Sequence, residues 1–225
     1  MDMRELPLVR VKLVAALLSI LLASVMSMTP ASAESLIPVT YSVKTNDPVI
    51  FITIDDGFIM NTQARDLILS EGIPVTLFLK GNIWKQPRHR EFFTPLVEAG
   101  ATVGNHTENH AVLTKVSASR AKTEICTGRD SAEAVSGQAV TLLRPPGGAQ
   151  NRSTQIIAAS CGQTRLVLWD VSVNGEKIAT YGGPLKAGDI ILMHWRKNLH
   201  LSLKKVLSEA KRLGLTPANL SDYLQ

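Results

Sequence analysis

Apolar residues recur along this chain in two rhythms, one of strands and one of helices. Val49–Ile54 is a continuous β-branched run behind Pro48, which predicts a buried strand. Asn61–Glu71 has helical composition and stops at Gly72. Pro74–Leu79 predicts a second strand, Arg88–Ala99 a second helix ending at Gly100, and Ala101–Gly104 a brief third strand. Ser117–Val135 predicts a long helix with Ser117 as its N-cap. A strand over Val140–Leu143 and a helix over Asn151–Ser160 follow. Further strands are expected over Arg165–Asp170 and Asp189–Met193. Leu199–Leu213 is an amphipathic helix closed by Gly214, and a short strand is expected near Leu215–Pro217.

Strands and helices therefore alternate, which predicts an α/β fold of parallel β–α–β units. A doubly wound sheet and a small, incomplete β/α barrel both fit this order. The polar residues add weight to the barrel. Asp55-Asp56, His106, Arg144, Asp170 and His194 each stand just after a predicted strand. In parallel α/β folds, chemistry gathers at the carboxyl ends of strands.

The first residues follow another pattern. Arg4, Arg10 and Lys12 precede an apolar run, Leu13–Met26, and Ala31-Ser32-Ala33 is a small-x-small cleavage site. This is the layout of a secretory signal peptide over residues 1–33. The run is shorter than the ~20 residues of a spanning helix, and no later segment is apolar enough to cross a bilayer, so no stable membrane insertion is expected after cleavage. Residues 34–48 read as a short lead-in, and residues 49–225 as one domain. An exported chain meets oxidising conditions, so Cys126 and Cys161 are expected to pair in one disulfide. The formal net charge is +5. That mild, scattered excess suits anionic surfaces such as cell-wall polymers and does not point to nucleic acid.

Several short motifs carry chemistry. Thr53-Ile54-Asp55-Asp56-Gly57 places two carboxylates at a strand end before a permissive glycine. Strand alternation would point them apart, but at a frayed end both could reach one site. His106-Thr107-Glu108-Asn109-His110 spaces two histidines as on one helical turn, where both could ligate one ion. With Asp56 they form a His-His-Asp set that leaves positions open for water and substrate. Arg144 opens a rigid Arg-Pro-Pro-Gly-Gly segment and is expected at the rim, orienting a carboxylate. His194 ends an apolar strand and is placed as a general acid.

In order and spacing these motifs resemble the NodB-type polysaccharide deacetylases, carbohydrate esterase family 4, over roughly residues 49–224. TIDDG at 53–57, HTENH at 106–110, RPPGG at 144–148 and LMH at 192–194 are similar to the family's first, second, third and fifth motifs. The resemblance implies a distorted (β/α)7 barrel. It implies that Asp55 is the general base and that Asp56, His106 and His110 hold a divalent metal. Zinc is the common choice in the family, and cobalt, nickel or manganese also suit such ligands. Arg144 would hold Asp55, and His194 would protonate the leaving group. The Gly147 N–H would stabilise the oxyanion. The implied substrate is an acetylated polysaccharide, and the implied place of action is outside the cell or at its wall.

Two departures stand out. Gly147 occupies a position where the family usually has an aromatic residue, so Trp195 or Trp84 is weighed as a replacement wall for the sugar groove, against core packing. In the stretch Trp169–Asn174, Ser172 falls where the family places a carboxylate that tunes the acid histidine, and Asp170 is the carboxylate left in that region. The missing partner is expected to leave His194 less readily protonated. A degenerate glycan-binding module and a small-amide hydrolase on the same fold are the competing readings.

Overall fold

The computed structural model describes residues 36–224. The expected signal peptide lies outside the described residues. The strands are β1 (Val39–Thr40), β2 (Val49–Asp56), β3 (Val75–Leu79), β4 (Thr102–Asn105), β5 (Leu142–Leu143), β6 (Arg165–Val167), β7 (Val171–Asn174), β8 (Lys177–Thr180), β9 (Ile190–His194) and β10 (Thr216–Pro217). The helices are α1 (Thr62–Glu71), α2 (Gly81–Trp84), α3 (Pro87–Glu98), α4 (Ala118–Ser136), α5 (Arg152–Ser160) and α6 (Leu199–Arg212). One sheet runs β1-β6-β5-β4-β3-β2-β9-β7-β8, with β10 beside β2. Its strands are parallel except for the β7–β8 hairpin. Seven consecutive parallel strands, β6 through β7 in that order, form the distorted β/α barrel.

Alternation along β2 sorts its side chains. Ile50, Ile52 and Ile54 face the helices and join the largest apolar cluster, with Ala64 and Ile68 of α1, Leu96 of α3 and Leu203 of α6. Phe51 faces inward, in a second cluster with Phe78, Leu142, Val167, Ile190 and Leu220. The same period in β9 puts Ile190 inside and Ile191 and Met193 outside. The inward columns of β2 and β9 thus rise to Asp55 and His194, which lie side by side in register. The C-terminal turn, Leu220–Tyr223, closes the lower interior, with the Tyr223 ring 5.1 Å from that of Phe51.

Helix ends follow local chemistry. Asn61, Ser117 and Asn151 cap α1, α4 and α5 by accepting from the backbone N–H three residues on. Gly72 and Gly137 end α1 and α4 in the left-handed conformation.

Three features differ from expectation. The lead-in, for which no strand is expected, joins the sheet. It carries β1, which pairs with β6, and its continuation bridges Ser42 to Asp189. The expected strand Arg165–Asp170 ends at Val167, because the chain leaves β6 there and crosses in three residues to β7 beside β9. The hairpin β7–β8 was not expected. Its two-residue turn begins at Gly175 with φ 62°, a conformation glycine adopts without strain.

Cys126 on α4 and Cys161 at the end of α5 form a disulfide across 35 residues. Closing a loop of that length stabilises by up to about 4 kcal/mol through the unfolded chain. A Cys126→Ser/Cys161→Ser variant is expected to lose roughly 10 °C in thermal midpoint. Calorimetry on the two proteins checks this, and equal midpoints would refute it.

Candidate active site

Asp55 is buried, 2% exposed, and its position comes from the inward column of β2. Beneath it lies Arg144, fully buried inside the barrel and not at the rim as expected. The Arg144 Nη1 donates to Asp55 Oδ1 at 2.9 Å and also to Thr53 Oγ1. Nε donates to the Val167 carbonyl at 3.1 Å and Nη2 to the Leu168 carbonyl at 3.2 Å. The guanidinium carbon stands 4.3 Å from the centroid of the Phe78 ring. A buried cation needs this number of partners, because an unpaired one is severely destabilising. Burial pushes the Asp55 carboxyl above the usual carboxylate range, and the charges of Arg144 and His194 pull it back down.

Asp56 by alternation would face away from Asp55. Its φ of 80° turns it back to the same rim, and Gly57 follows with φ 95°. The Asp56 side chain is part-exposed, with Oδ1 3.4 Å from His110 Nε2 and 3.7 Å from His106 Nε2. A backbone in the left-handed region is costly for a non-glycine residue, so its place beside the cluster is notable.

The histidines are not on a helix. His106 follows β4, and His110 ends a loop in which Thr107 and His110 both have positive φ, 63° and 65°. The loop brings the two rings to 4.9 Å. It is moulded between two helices. Gly81 and Asn82 of α2 donate N–H to the carbonyls of Thr107 and Glu108, and Glu108 N–H donates to the Glu124 carbonyl of α4. The Glu124 carboxylate, fully buried, accepts from Asn109 N–H at 2.7 Å, from Asn109 Nδ2 at 3.1 Å and from Arg120. Gly128 allows the approach, since a Cβ there would stand 2.6 Å from the Thr107 carbonyl carbon. Lys85 and Ser131 satisfy the Glu108 carboxylate at 2.6 and 3.0 Å.

His106 Nδ1–H donates to the Arg144 carbonyl at 2.7 Å, which leaves the Nε2 lone pair facing the cluster. Burial lowers the His106 pKa to about 3, so the ring is neutral. One ligand atom from each of Asp56, His106 and His110 lies within 4.8 Å of the others. Two imidazoles and a carboxylate fit a divalent ion and leave further positions open.

His194 is held below the ordinary imidazole range, chiefly by burial. The charges that act on it are those of Asp55, Asp56, Arg196 and Arg144. Asp170 is not among them, and it lines a neighbouring cleft instead. Gly147 lines the same cleft, with φ 64°. Trp195 does not line the site. Alternation along β9 sends it outward from His194, and at 2% exposure its ring packs 4.9 Å from Phe93 and 5.7 Å from Phe92. Trp84 is equally buried, 6.2 Å from Phe93.

Thr53, Glu124 and Gly128 were missed in the sequence. Thr53 had a signal as the lone hydroxyl in an aliphatic strand. Gly128 had one as a glycine inside a long helix, where it costs about 1 kcal/mol unless packing requires it.

The fold and the donor set define a candidate metal centre at the carboxyl ends of barrel strands. The sequences of known proteins give the class. A polysaccharide deacetylase family model matches residues 42–166, more than half of the chain, and the chain belongs to that family of amide-bond hydrolases. An uncharacterized protein of Streptomyces coelicolor is 33% identical, over 83% of this chain and 77% of its own length. A peptidoglycan-N-acetylglucosamine deacetylase of Bacillus cereus is 28% identical, over 83% of this chain and 93% of its own. The chitin deacetylase of the fungus Colletotrichum lindemuthianum has the same fold, with a TM-score of 0.72 at 18% identity, covering 84% of this chain and 92% of that one.

Proposed function

We propose that the protein is an exported, metal-dependent deacetylase that removes N-acetyl groups from a cell-wall glycan, with peptidoglycan as its first substrate and chitin-type chains as the second. The observation that carries this reading is the Arg144-clamped Asp55 beside the convergent Asp56, His106 and His110. Peptidoglycan is favoured by the Bacillus cereus relative and by the net positive charge, which suits anionic walls. Export is supported by the N-terminal signal pattern and the disulfide.

A divalent ion held by Asp56, His106 and His110 would supply Lewis-acid polarisation of the acetyl carbonyl and a more acidic water. The chain does the rest. Arg144 occupies Asp55 Oδ1, which leaves Oδ2 free; that oxygen lies 3.8 Å from His106 Nε2, beside the cluster. Oδ2 accepts a proton from the attacking water. The carbon–oxygen bond forms, and the role assigned to the Gly147 N–H is to stabilise the developing oxyanion. His194, across the register from Asp55, donates its proton to the departing nitrogen. The carbon–nitrogen bond then breaks, giving acetate and a free amine. The depressed His194 pKa makes its protonated form a stronger acid and leaves a smaller fraction of it protonated at neutral pH.

The test is acetate release by metal-stripped protein from peptidoglycan, chitooligosaccharide and acetylxylan, with and without added zinc or cobalt. Metal-restored release, greatest on peptidoglycan, is expected. Release that ignores metal would refute the metal dependence. No release from any polymer would leave a glycan-binding module as the better reading.

A further inference from the structure

Among the described residues three aromatic side chains are well exposed, Phe58, Tyr41 and Tyr181, and the two tyrosines share a cleft. Tyr41, just past β1, is 47% exposed, and Tyr181, just past β8, is 70% exposed. They line one cleft of about 480 Å³, together with Gly147, Gly148, Trp169 and Asp170. That volume lies in the ~300–1,000 Å³ range of small-ligand sites. Neither tyrosine takes part in the chemistry proposed above.

The cleft forms where β6 hands the chain to β7. Trp169 and Asp170 belong to the crossing segment, Tyr41 comes from the lead-in strand on one side, and Tyr181 donates its N–H to the Asp170 carbonyl from the hairpin on the other. The crossing segment also grips the active site. The Leu168 carbonyl accepts from Arg144, and the Trp169 ring centre lies 5.7 Å from the Arg144 guanidinium. Cleft and site therefore share a wall.

We propose that this cleft binds a neighbouring sugar ring of the same glycan strand, next to the residue being deacetylated, with Tyr41 and Tyr181 as stacking platforms. The proposal rests on the glycan reading of the site. A pyranose ring has apolar C–H faces and a hydroxyl edge. Tyrosine and tryptophan offer apolar faces with a polar tip to match it. Asp170 is the one charged group of the lining, and it accepts hydrogen bonds from hydroxyls. A lining with a carboxylate and no cation disfavours phosphate or an acidic peptide.

The experiment uses a Tyr41→Ala/Tyr181→Ala variant of the full chain. Both rings are exposed, so folding is expected to survive, and thermal unfolding checks it. kcat and KM of acetate release are measured on the shortest chitooligosaccharide cleaved and on a long one. Binding of a fully deacetylated long oligomer is measured separately by calorimetry. KM for the long substrate is expected to rise about tenfold, near threefold for each stacked ring. kcat and the short substrate are expected to be unchanged, and a Tyr41→Phe/Tyr181→Phe variant to behave as the parent. An equal loss on short and long substrates, or no loss on either, overturns the proposal. Oligomer binding that needs both rings but comes with no acetate release keeps the cleft and refutes the deacetylase reading. Release that is indifferent to both rings does the reverse.

Discussion

Replacing Asp55 with Asn is expected to cut acetate release by roughly 10²–10⁴-fold, the usual contribution of a positioned general base. Asn keeps the shape and can still accept from Arg144, but it cannot take a proton from water. The loss belongs in kcat, with KM little changed, because the base acts in the transition state. Arg144 loses a charge partner yet keeps three oxygen acceptors, on Thr53, Val167 and Leu168. The stability cost is therefore expected to stay below the ~3–5 kcal/mol of a fully broken buried pair. Zinc binding, read by calorimetry, is expected to persist in this variant. Undiminished acetate release from folded Asp55→Asn protein would remove Asp55 from the mechanism.

The second large effect concerns the metal. His106→Ala removes a buried ligand whose tautomer the Arg144 carbonyl fixes. Zinc affinity is expected to fall by more than ~100-fold, beyond the 10–100-fold typical of outer-sphere changes. Glu124→Gln is the graded control. It touches no ligand atom but weakens the bonds to Asn109 that shape the loop. Its loss is expected to fall within that 10–100-fold range, and excess zinc is expected to rescue activity. Direct zinc titration of the stripped proteins checks both. If His106→Ala binds zinc as tightly as the parent, the ion is held elsewhere.

How much of this was legible in the sequence depends on distance along the chain. Element identities were largely readable, because strand and helix periods are local; α4 begins at the Ser117 cap expected from the sequence, and α1 and α5 begin one residue after the expected starts at Asn61 and Asn151. The rim residues were readable too, since each follows an apolar run. What the sequence hid were relations between segments. The period of four in His106–His110 reads as a helical turn, yet Glu124 and Gly128 on a distant helix hold those residues in a strained loop instead. β1 was invisible because it is short and gains its pairing from β6, far along the chain, and β8 because its four residues include no buried position and so leave no apolar run, although its partner β7 is adjacent. Trp195 was the avoidable error. Counting by two from His194 already sends it outward, to the helices.

That period of two also divides evolutionary freedom. Outward positions such as Ile52, Ile54, Met193 and Trp195 belong to the apolar cluster between sheet and helices, so selection on them is for persistence of the fold. Inward positions at the top, Asp55 and His194, are the ones that selection for turnover would hold under the proposed mechanism. Arg144 belongs to both sets, because it fills the barrel with a charge that only Asp55 answers. A lineage that abandons the chemistry can shed His194 or Asp56 at little structural cost, whereas losing the Asp55 charge costs stability even where an isosteric Asn keeps the hydrogen bond to Arg144. In a chain of this kind that has lost activity, the Asp55–Arg144 pair is the last trace of the enzyme to disappear.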